Sequence, residues 1–317
     1  MAECVLTRLS RGGVKLLIDD IECKEKEVIL ESIIGDLYIN DIPISNMTRT
    51  NIITYKDAIH LIGGSINTSI SFTHYIYHDS EYTALSKLPT NFGAENPGLV
   101  IYKDKLYAIG GTVNTYGPVI SRIIYEYNDT DDTWSDVIHL PFDWEAYGGE
   151  MNYTIHNDEI HIIRGRTSGT YNYHYKWDGV SWTSVSTLPN DYVYSIGSFN
   201  NELYIIRNSS DTTVTGSLMK LNNTSWKYVS NFPDRTKYGS AGALIVYDNK
   251  LYSMGSSTFV LNDENKIELV RKHTIFGSGS SNPVVYKNSI YQYRYNSASS
   301  STATCLCIIN HTFLNKQ

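Results

Sequence analysis

Short apolar runs that alternate with polar turns fill most of the chain, and the clearest unit spans residues 98–111. Its sequence is GLVIYKDKLYAIGG, in which Lys103 and Asp104 separate two apolar runs and a pair of glycines ends the second. Runs of this length, rich in β-branched and aromatic residues and bounded by turn residues, are typical of paired β-strands. The pattern therefore predicts an antiparallel hairpin at this position.

The second strand of this hairpin contains an apolar–aromatic pair that recurs at intervals of 39 to 54 residues. The six occurrences are Ile59-His60, Leu106-Tyr107, Ile160-His161, Leu203-Tyr204, Leu251-Tyr252 and Ile290-Tyr291. A second landmark agrees with the first, because an aromatic residue stands seven residues before a proline at Tyr82/Pro89, Trp134/Pro141, Trp182/Pro189 and Trp226/Pro233. Periods of this length indicate propeller blades or solenoid turns rather than one ordinary core. We therefore predict six repeats of short strands.

The repeat resembles the kelch motif, in which a diglycine, a Tyr and a Trp stand at roughly fixed places over about 50 residues. Gly63-Gly64 and Gly110-Gly111 match the diglycine, whereas later repeats have Arg164-Gly165, Arg207-Asn208 and Gly255-Ser256. The resemblance implies an all-β fold, a six-bladed kelch-like β-propeller over residues 49–317 with a small N-terminal β segment over residues 1–48. Trp134, Trp182 and Trp226 are then expected to wedge between blades.

Residues 1–48 differ from the repeats, because they contain short β-type runs at 13–19, 27–32 and 36–40 but no Trp and no diglycine. We interpret them as an attachment and oligomerisation segment. The last repeat leaves only residues 310–317 for a fourth strand. Propellers often close by lending a strand from one terminus, which removes an exposed sheet edge. Residues 36–40 are the candidate donor, and the final eight residues are an equal alternative.

Composition narrows the function classes. The net charge is −7 and there is no run of five Lys or Arg, so we expect neither a nucleic-acid partner nor a surface for anionic membranes. No apolar stretch approaches 18 residues and the N-terminus lacks a signal-peptide pattern, so we expect no membrane insertion and no export by the general secretory route. The four cysteines are too few for a disulfide scaffold, and Cys305 and Cys307 are expected to be buried on one strand face.

No enzyme template fits the sequence. There is no Gly-x-Ser-x-Gly elbow, phosphate loop or His-Glu-x-x-His pair. Galactose oxidase has a similar fold but needs a copper site with a Tyr–Cys crosslink, and no Cys lies between Cys23 and Cys305. Asp178-Gly179 resembles part of a sialidase Asp-box but is better interpreted as a hairpin turn. His60 and His161 take the place of Tyr in the repeated pair and are interpreted as packed or rim aromatics. We expect no enzyme activity, no cofactor and no metal.

The residues that break the repeat are the candidates for ligand binding. Trp144 and Tyr147 lie in a loop after Pro141 that has no counterpart in the other repeats. Further candidates lie in the loops after other prolines and after second strands, where Tyr, Trp and Arg supply contact area and forked hydrogen bonds: Tyr116, Arg166, Tyr192, Arg235 and Tyr238.

The sequence thus predicts a binding module. The short β segment followed by a propeller in an Ile-, Asn-, Lys- and Tyr-rich chain loosely resembles phage or prophage tail-tip and fibre proteins. That resemblance implies a host-surface glycan or protein as ligand, docking to other tail or baseplate subunits through residues 1–48, homo-oligomerisation as an option, and a place on a virion tail or tail-like particle after synthesis in the cytoplasm. A soluble cytoplasmic kelch adaptor that binds a peptide and a purely structural assembly component are the alternatives.

Overall fold

The strands are short and follow one another throughout the part of the chain that the computed structural model describes. That part comprises residues 36–39, 47–66, 69–79, 81–90, 92, 96–111, 122–140, 152–164, 172–189, 193–207, 216–233, 242–272, 279–295 and 304–309. In chain order the strands are β1 (Asp36–Ile39), β2 (Met47–Thr48), β3 (Asn51–Tyr55), β4 (Ala58–Ile62), β5 (Ser65–Ile66), β6 (Ser69–Ile70), β7 (His74–His78), β8 (Glu81–Ala84), β9 (Gly98–Tyr102), β10 (Lys105–Ile109), β11 (Ile123–Asn128), β12 (Thr133–His139), β13 (Asn152–His156), β14 (Glu159–Arg164), β15 (Tyr173–Trp177), β16 (Trp182–Thr187), β17 (Val193–Phe199), β18 (Glu202–Arg207), β19 (Ser217–Asn222), β20 (Ser225–Asn231), β21 (Ala243–Tyr247), β22 (Lys250–Met254), β23 (Ser257–Leu261), β24 (Ile267–Lys272), β25 (Gly279–Ser280), β26 (Val284–Tyr286), β27 (Ser289–Tyr295) and β28 (Thr304–Ile309).

Each predicted repeat forms one antiparallel sheet, and we call these sheets blades. Blades one to five are β3-β4-β7-β8, β9-β10-β11-β12, β13-β14-β15-β16, β17-β18-β19-β20 and β21-β22-β23-β24. In blade six β27 pairs with β26, β25 and β28, and β28 pairs with β1. The described residues contain no helix and are consistent with six blades. The all-β propeller fold is confirmed.

The first strands of the blades form a closed ring. Contacts run from β3 to β9, β13, β17 and β21 in order, and β26 contacts β3. The junction between blades five and six is bridged by the Tyr247 hydroxyl, which donates to the Asn288 carbonyl over 2.8 Å. Six clusters of buried apolar side chains among the described residues lie one at each junction. The core is therefore divided among the blade junctions, because each blade buries both faces against its neighbours.

The repeated tryptophans join neighbouring blades, as predicted. The Trp134 indole N–H donates to the Ser86 carbonyl of blade one over 3.3 Å, and that of Trp182 donates to the His139 carbonyl of blade two over 3.1 Å. The Trp226 N–H donates to the Ser186 hydroxyl of blade three over 3.1 Å. A Trp packed against the neighbouring blade gains contact area while its one polar atom keeps a partner. The fixed Trp position in the repeat thus has a structural cause.

The hairpins between the first and second strands share one two-residue turn. In all six blades both turn residues have positive φ, which gives the type I′ geometry that matches the twist of paired strands. The turn residues are Lys56-Asp57, Lys103-Asp104, Asn157-Asp158, Asn200-Asn201, Asp248-Asn249 and Lys287-Asn288. Asn and Asp tolerate this conformation better than other non-glycine residues. This turn is a more regular mark of the repeat than the diglycine.

An N-terminal strand completes blade six. β1 pairs with β28 in the register Asp36↔Ile309 to Ile39↔Leu306, so it takes the fourth-strand position for which residues 36–40 were the candidate. β2 pairs with β5, and the Tyr293 hydroxyl of blade six donates to the Met47 carbonyl over 2.7 Å. Residues 36–39 and 47–48 are therefore paired with the propeller although they precede residue 49. The attachment role of residues 1–48 stays a prediction, and residues 1–35 lie outside the described part.

Candidate functional site

The first strands of the six blades, which we call the inner strands, all start at one end of the ring. We call this end the loop end. First residues of adjacent inner strands are neighbours there: the Asn51 side chain donates to the Pro97 carbonyl over 2.6 Å, and that of Asn152 reaches the Val193 carbonyl at 3.5 Å. The two-residue hairpin turns lie at the opposite end, the turn end. Connections from fourth strands to the next blade, and from second to third strands, therefore meet at the loop end.

A cavity of about 280 Å³ lies between the inner strands, in the centre of the ring. Strands from all six blades line it, with apolar side chains such as Ile52, Val100 and Ile196 and polar ones such as Asn152, Ser195 and Asn282. Each inner strand is a sheet edge, so part of its backbone N–H and C=O groups has no ladder partner and faces this cavity. The cavity is thus able to accept a ligand or waters that form hydrogen bonds.

Side chains at the loop end bind the inner strands to one another. The backbone N–H of Asn282 donates to the Asn51 carboxamide oxygen over 3.3 Å, which joins blade six to blade one. The Leu244 N–H donates to the Ser195 hydroxyl over 2.9 Å, which joins blade five to blade four. Nearer the turn end, the Thr54 hydroxyl donates to the Val285 carbonyl over 2.7 Å, which also joins blade one to blade six. Such bonds hold the strand starts in fixed positions, which is the preorganisation that a binding site needs.

Tyr153 crosses the ring at its loop end. It belongs to blade three, yet its hydroxyl accepts a hydrogen bond of 3.1 Å from the Asn282 side chain of blade six, on the opposite side of the ring. Its ring passes over Gly98, where a Cβ atom would lie 2.8 Å from Cε1. Burial raises the pKa of the Tyr153 hydroxyl to about 12, so it stays protonated. Tyr153 and Asn282 together form a neutral floor at the loop end, which we call the channel floor.

Comparison with known proteins agrees with the propeller fold. Residues 95–137 match the Kelch motif, and this range covers most of blade two with its diglycine and Trp134. The fold is a kelch-type β-propeller. Among solved structures, the one titled "Structure of YjhT" is similar at a TM-score of 0.60 with 10% sequence identity, and the match covers 83% of this chain and 98% of that one. At that identity the likeness shows the fold alone. No curated protein matches the sequence.

Every predicted ligand-binding residue of this kelch propeller lies outside the described residues: Trp144, Tyr147, Tyr116, Arg166, Tyr192, Arg235 and Tyr238. The strands that flank these residues do end or begin at the loop end. For example, β12 ends at His139 and β13 begins at Asn152, with Trp144 and Tyr147 between them in the chain. Their binding role stays a prediction.

The channel floor was not predicted from the sequence. No motif marks its residues Tyr153 and Asn282, nor the nearby Asn51 and Asn152. The available signal is an Asn at or just before the first strand in three repeats.

In the sequence, Arg164 stands out only as a departure from the diglycine. It ends β14 at the loop end and is 1% exposed. A buried guanidinium is unusual in a propeller core and marks the loop end of blade three as polar.

Two buried histidine pairs occupy equivalent places in blades one and three of the kelch propeller. His60 Nδ1 lies 2.8 Å from His74 Nε2, and His161 Nδ1 lies 2.9 Å from His174 Nε2. Burial lowers the pKa of His60 and His161 to about 4 and that of His74 and His174 to about 3. His74 packs on Trp134 and His174 on Trp226, each a residue of the next blade. These histidines are packed aromatics at blade junctions, as predicted for His60 and His161.

His174 also contacts Ser186, whose Oγ lies 2.7 Å from His174 Nδ1. A Ser–His contact of this length is one part of a nucleophilic site. Here Ser186 accepts from Trp226 as well, and the same His pair recurs in blade one, so a packing role accounts for both. Within the described residues there is no group of three or more His, Cys, Asp or Glu side chains that could hold a metal ion.

The turn at Asp178 has the structure predicted for it. The Asp178 carboxylate accepts hydrogen bonds of 2.8 Å from the backbone N–H groups of Val180 and Ser181, and Gly179 has a φ of +105°. These bonds hold the pKa of Asp178 below its usual value. The carboxylate therefore caps its own hairpin turn, which is the turn interpretation rather than an Asp-box. None of the described residues forms a helix that could span a membrane.

Proposed function

We propose that this propeller is a non-enzymatic binding module that holds its ligand at the loop end. The observation that carries this proposal is the channel floor: Tyr153 and Asn282 join opposite blades beneath the place where the longest connections meet. Rigid scaffolds that present variable loops at one end are a common design for recognition. Because the channel floor is already held in place, little conformational entropy is lost there when a ligand binds.

The connections are uniform at the turn end of the ring and variable at the loop end, as expected for a scaffold that binds its ligand through loops. At the turn end all six hairpin turns have two residues, and ion pairs tie adjacent blades together, as between Lys56 and Asp129 and between Lys287 and Asp79. At the loop end the connections vary from two residues between β22 and β23 to thirteen between β10 and β11. Loops at one end can therefore vary in length and sequence while the β-sheet scaffold stays the same.

The finer part of the proposal concerns the identity of the ligand and the assembly that contains the chain. The ligand is a glycan or protein on a host cell surface, the chain is a receptor-recognition or baseplate component of a phage-type tail, and residues 1–48 carry the contact with other tail subunits. Support for this comes from the layout and composition of the sequence. A soluble adaptor that binds a peptide, or a structural assembly component, would use the same frame with a different partner.

The test is the double substitution Trp144→Ala with Tyr147→Ala. Trp and Tyr are typical hot-spot residues, and the truncation of a hot spot commonly costs about 2 kcal/mol or more of binding energy. We expect attachment of the purified protein to host cells to weaken at least about tenfold, since about 1.4 kcal/mol corresponds to one decade. If the residues lie in a recognition loop, as the sequence predicts, the melting temperature should stay within about 2 °C of the parent, because substitutions outside the core typically change stability by no more than about 0.5 kcal/mol.

The matched control is Tyr228→Ala on the outer strand β20. Tyr228 is 61% exposed but lies on the perimeter of the ring. We expect it to change neither attachment nor melting temperature. Normal attachment of the double variant would refute recognition by this loop, and unfolding of the double variant would show that the loop belongs to the core.

A further inference from the structure

We propose that the group of the ligand that reaches the channel floor is uncharged and rich in hydroxyl or amide groups, as in a neutral or N-acetylated glycan. This inference rests on the function proposed above and specifies its ligand class. An acidic glycan and an acidic or basic peptide are the alternatives that it excludes at this position.

The first argument is the charge of the cavity. The described residues that line it include no Asp, Glu, Lys, Arg or His, although strands from all six blades contribute. The buried Arg164 ends the second strand of blade three and is not among the lining residues. The Tyr153 hydroxyl also stays neutral, because burial raises its pKa to about 12. A charged ligand group would lose its hydration there without an opposite charge to pair with, and an unpaired buried charge is strongly disfavoured.

The second argument is the supply of neutral hydrogen-bonding groups. Asn282 uses one N–H of its carboxamide for Tyr153, and its Oδ1 atom has no hydrogen-bond donor among the described residues. Tyr153 supplies a phenol that both donates and accepts, and the edges of the inner strands supply backbone N–H and C=O groups. Sugar hydroxyls and acetamido groups also donate and accept, so they match this set. A cavity of about 280 Å³ is close to the lower limit of small-molecule sites, about 300 Å³, which suits one ring or side group of a longer chain.

The test compares ligand classes on the intact protein. Binding of the full chain is measured by calorimetry with neutral glucan and N-acetylglucosamine oligosaccharides, and in parallel with a polyuronate and a sulfated glycan of equal length. We expect measurable affinity for at least one neutral oligosaccharide, and affinity at least tenfold weaker or undetectable for both anionic ones.

The variant that addresses the floor is Tyr153→Phe, which keeps the ring over Gly98 but removes the hydroxyl. We expect it to weaken binding of the neutral oligosaccharide at least tenfold while the circular dichroism spectrum stays unchanged. Tyr247→Phe is the matched control, because it also removes one hydroxyl bond between blades but at the turn end. It should bind as the parent does.

Three results overturn the inference. Stronger binding of the anionic glycans than of the neutral ones, or binding of a protein receptor only, would refute a neutral glycan while leaving recognition at the loop end intact. Equal affinity of Tyr153→Phe and the parent for the neutral oligosaccharide would show that the floor makes no contact with it. The proposed function itself fails on a different result, which is normal cell attachment after Trp144→Ala with Tyr147→Ala.

Discussion

At the scale of the residue, the absence of a side chain at Gly98 leaves the space that the Tyr153 ring occupies. Gly98 starts β9, and its hypothetical Cβ would lie 2.8 and 2.9 Å from two ring carbons of Tyr153 and 3.0 Å from the Ile109 carbonyl oxygen. Carbon atoms do not approach so closely, so a side chain here must displace the ring. The glycine is therefore required by a close approach between blades two and three. It also allows Tyr153 to take its position in the channel floor.

We expect Gly98→Ala to destabilise the protein by about 1–3 kcal/mol, the usual range for overpacking a filled interior. The measurement is urea unfolding followed by tryptophan fluorescence. In a Tyr153→Ala background the same substitution should cost at least about 1 kcal/mol less, because residues in contact show such coupling. An equal cost in both backgrounds would show that the Ile109 carbonyl, and not the tyrosine, forbids a side chain at residue 98.

At the scale of the element, the repeat could be predicted from the sequence because each blade places the same residues at the same junctions. The Leu-Tyr type pairs mark second strands, and Trp134, Trp182 and Trp226 mark fourth strands, so periodicity located both. The channel floor could not be predicted in this way. Tyr153 and Asn282 are 129 residues apart, and only closure of the ring brings them together. Local patterns carry no signal for such a contact.

The histidine pairs give the blades a pH dependence with a definite sign. The folded pKa values of about 3 to 4 lie below the ordinary value of 6.5, so between these limits the unfolded chain binds more protons. Stability is therefore fully present above about pH 6.5 and is lost as the pH falls towards 4. Each histidine contributes a slope of at most about 1.4 kcal/mol per pH unit in this window.

We expect the free energy of unfolding, measured in urea from pH 7.5 to 4.5, to be level above pH 6.5 and to fall below it. His174→Gln removes one titrating group while keeping a polar side chain beside Ser186, so its slope between pH 6 and 4.5 should be shallower than that of the parent. His139→Gln is the control, because the His139 side chain is 61% exposed. Identical slopes for His174→Gln and the parent would show that the buried pairs do not govern the acid response.

At the scale of the whole molecule, closure of the ring depends on both ends of the described chain. β1 covers the edge of β28, and the Met47 carbonyl of the N-terminal strand β2 accepts from Tyr293 of blade six. Further bonds join blades six and one directly, from Thr54 to the Val285 carbonyl and between Lys287 and Asp79. The Lys287–Asp79 pair is exposed, and exposed pairs contribute little. The strand β1 and the buried contacts of Met47 are thus the main N-terminal contributions to closure.

Two truncations separate closure from attachment. Deletion of residues 1–34 leaves β1 in place, so we expect a folded monomer whose melting temperature is close to that of the full chain. Deletion of residues 1–40 removes β1, so blade six loses the β1–β28 pairing and β28 becomes an unpaired edge. An exposed edge strand pairs readily with other chains, so this second variant should melt several degrees lower and form larger species in light scattering. The comparison uses circular dichroism melts and size-exclusion chromatography with light scattering on both variants. If the two truncations behave alike, β1 is dispensable and blade six is closed by other residues; if the shorter deletion already unfolds the protein, residues 1–34 are part of the fold and not only an attachment segment.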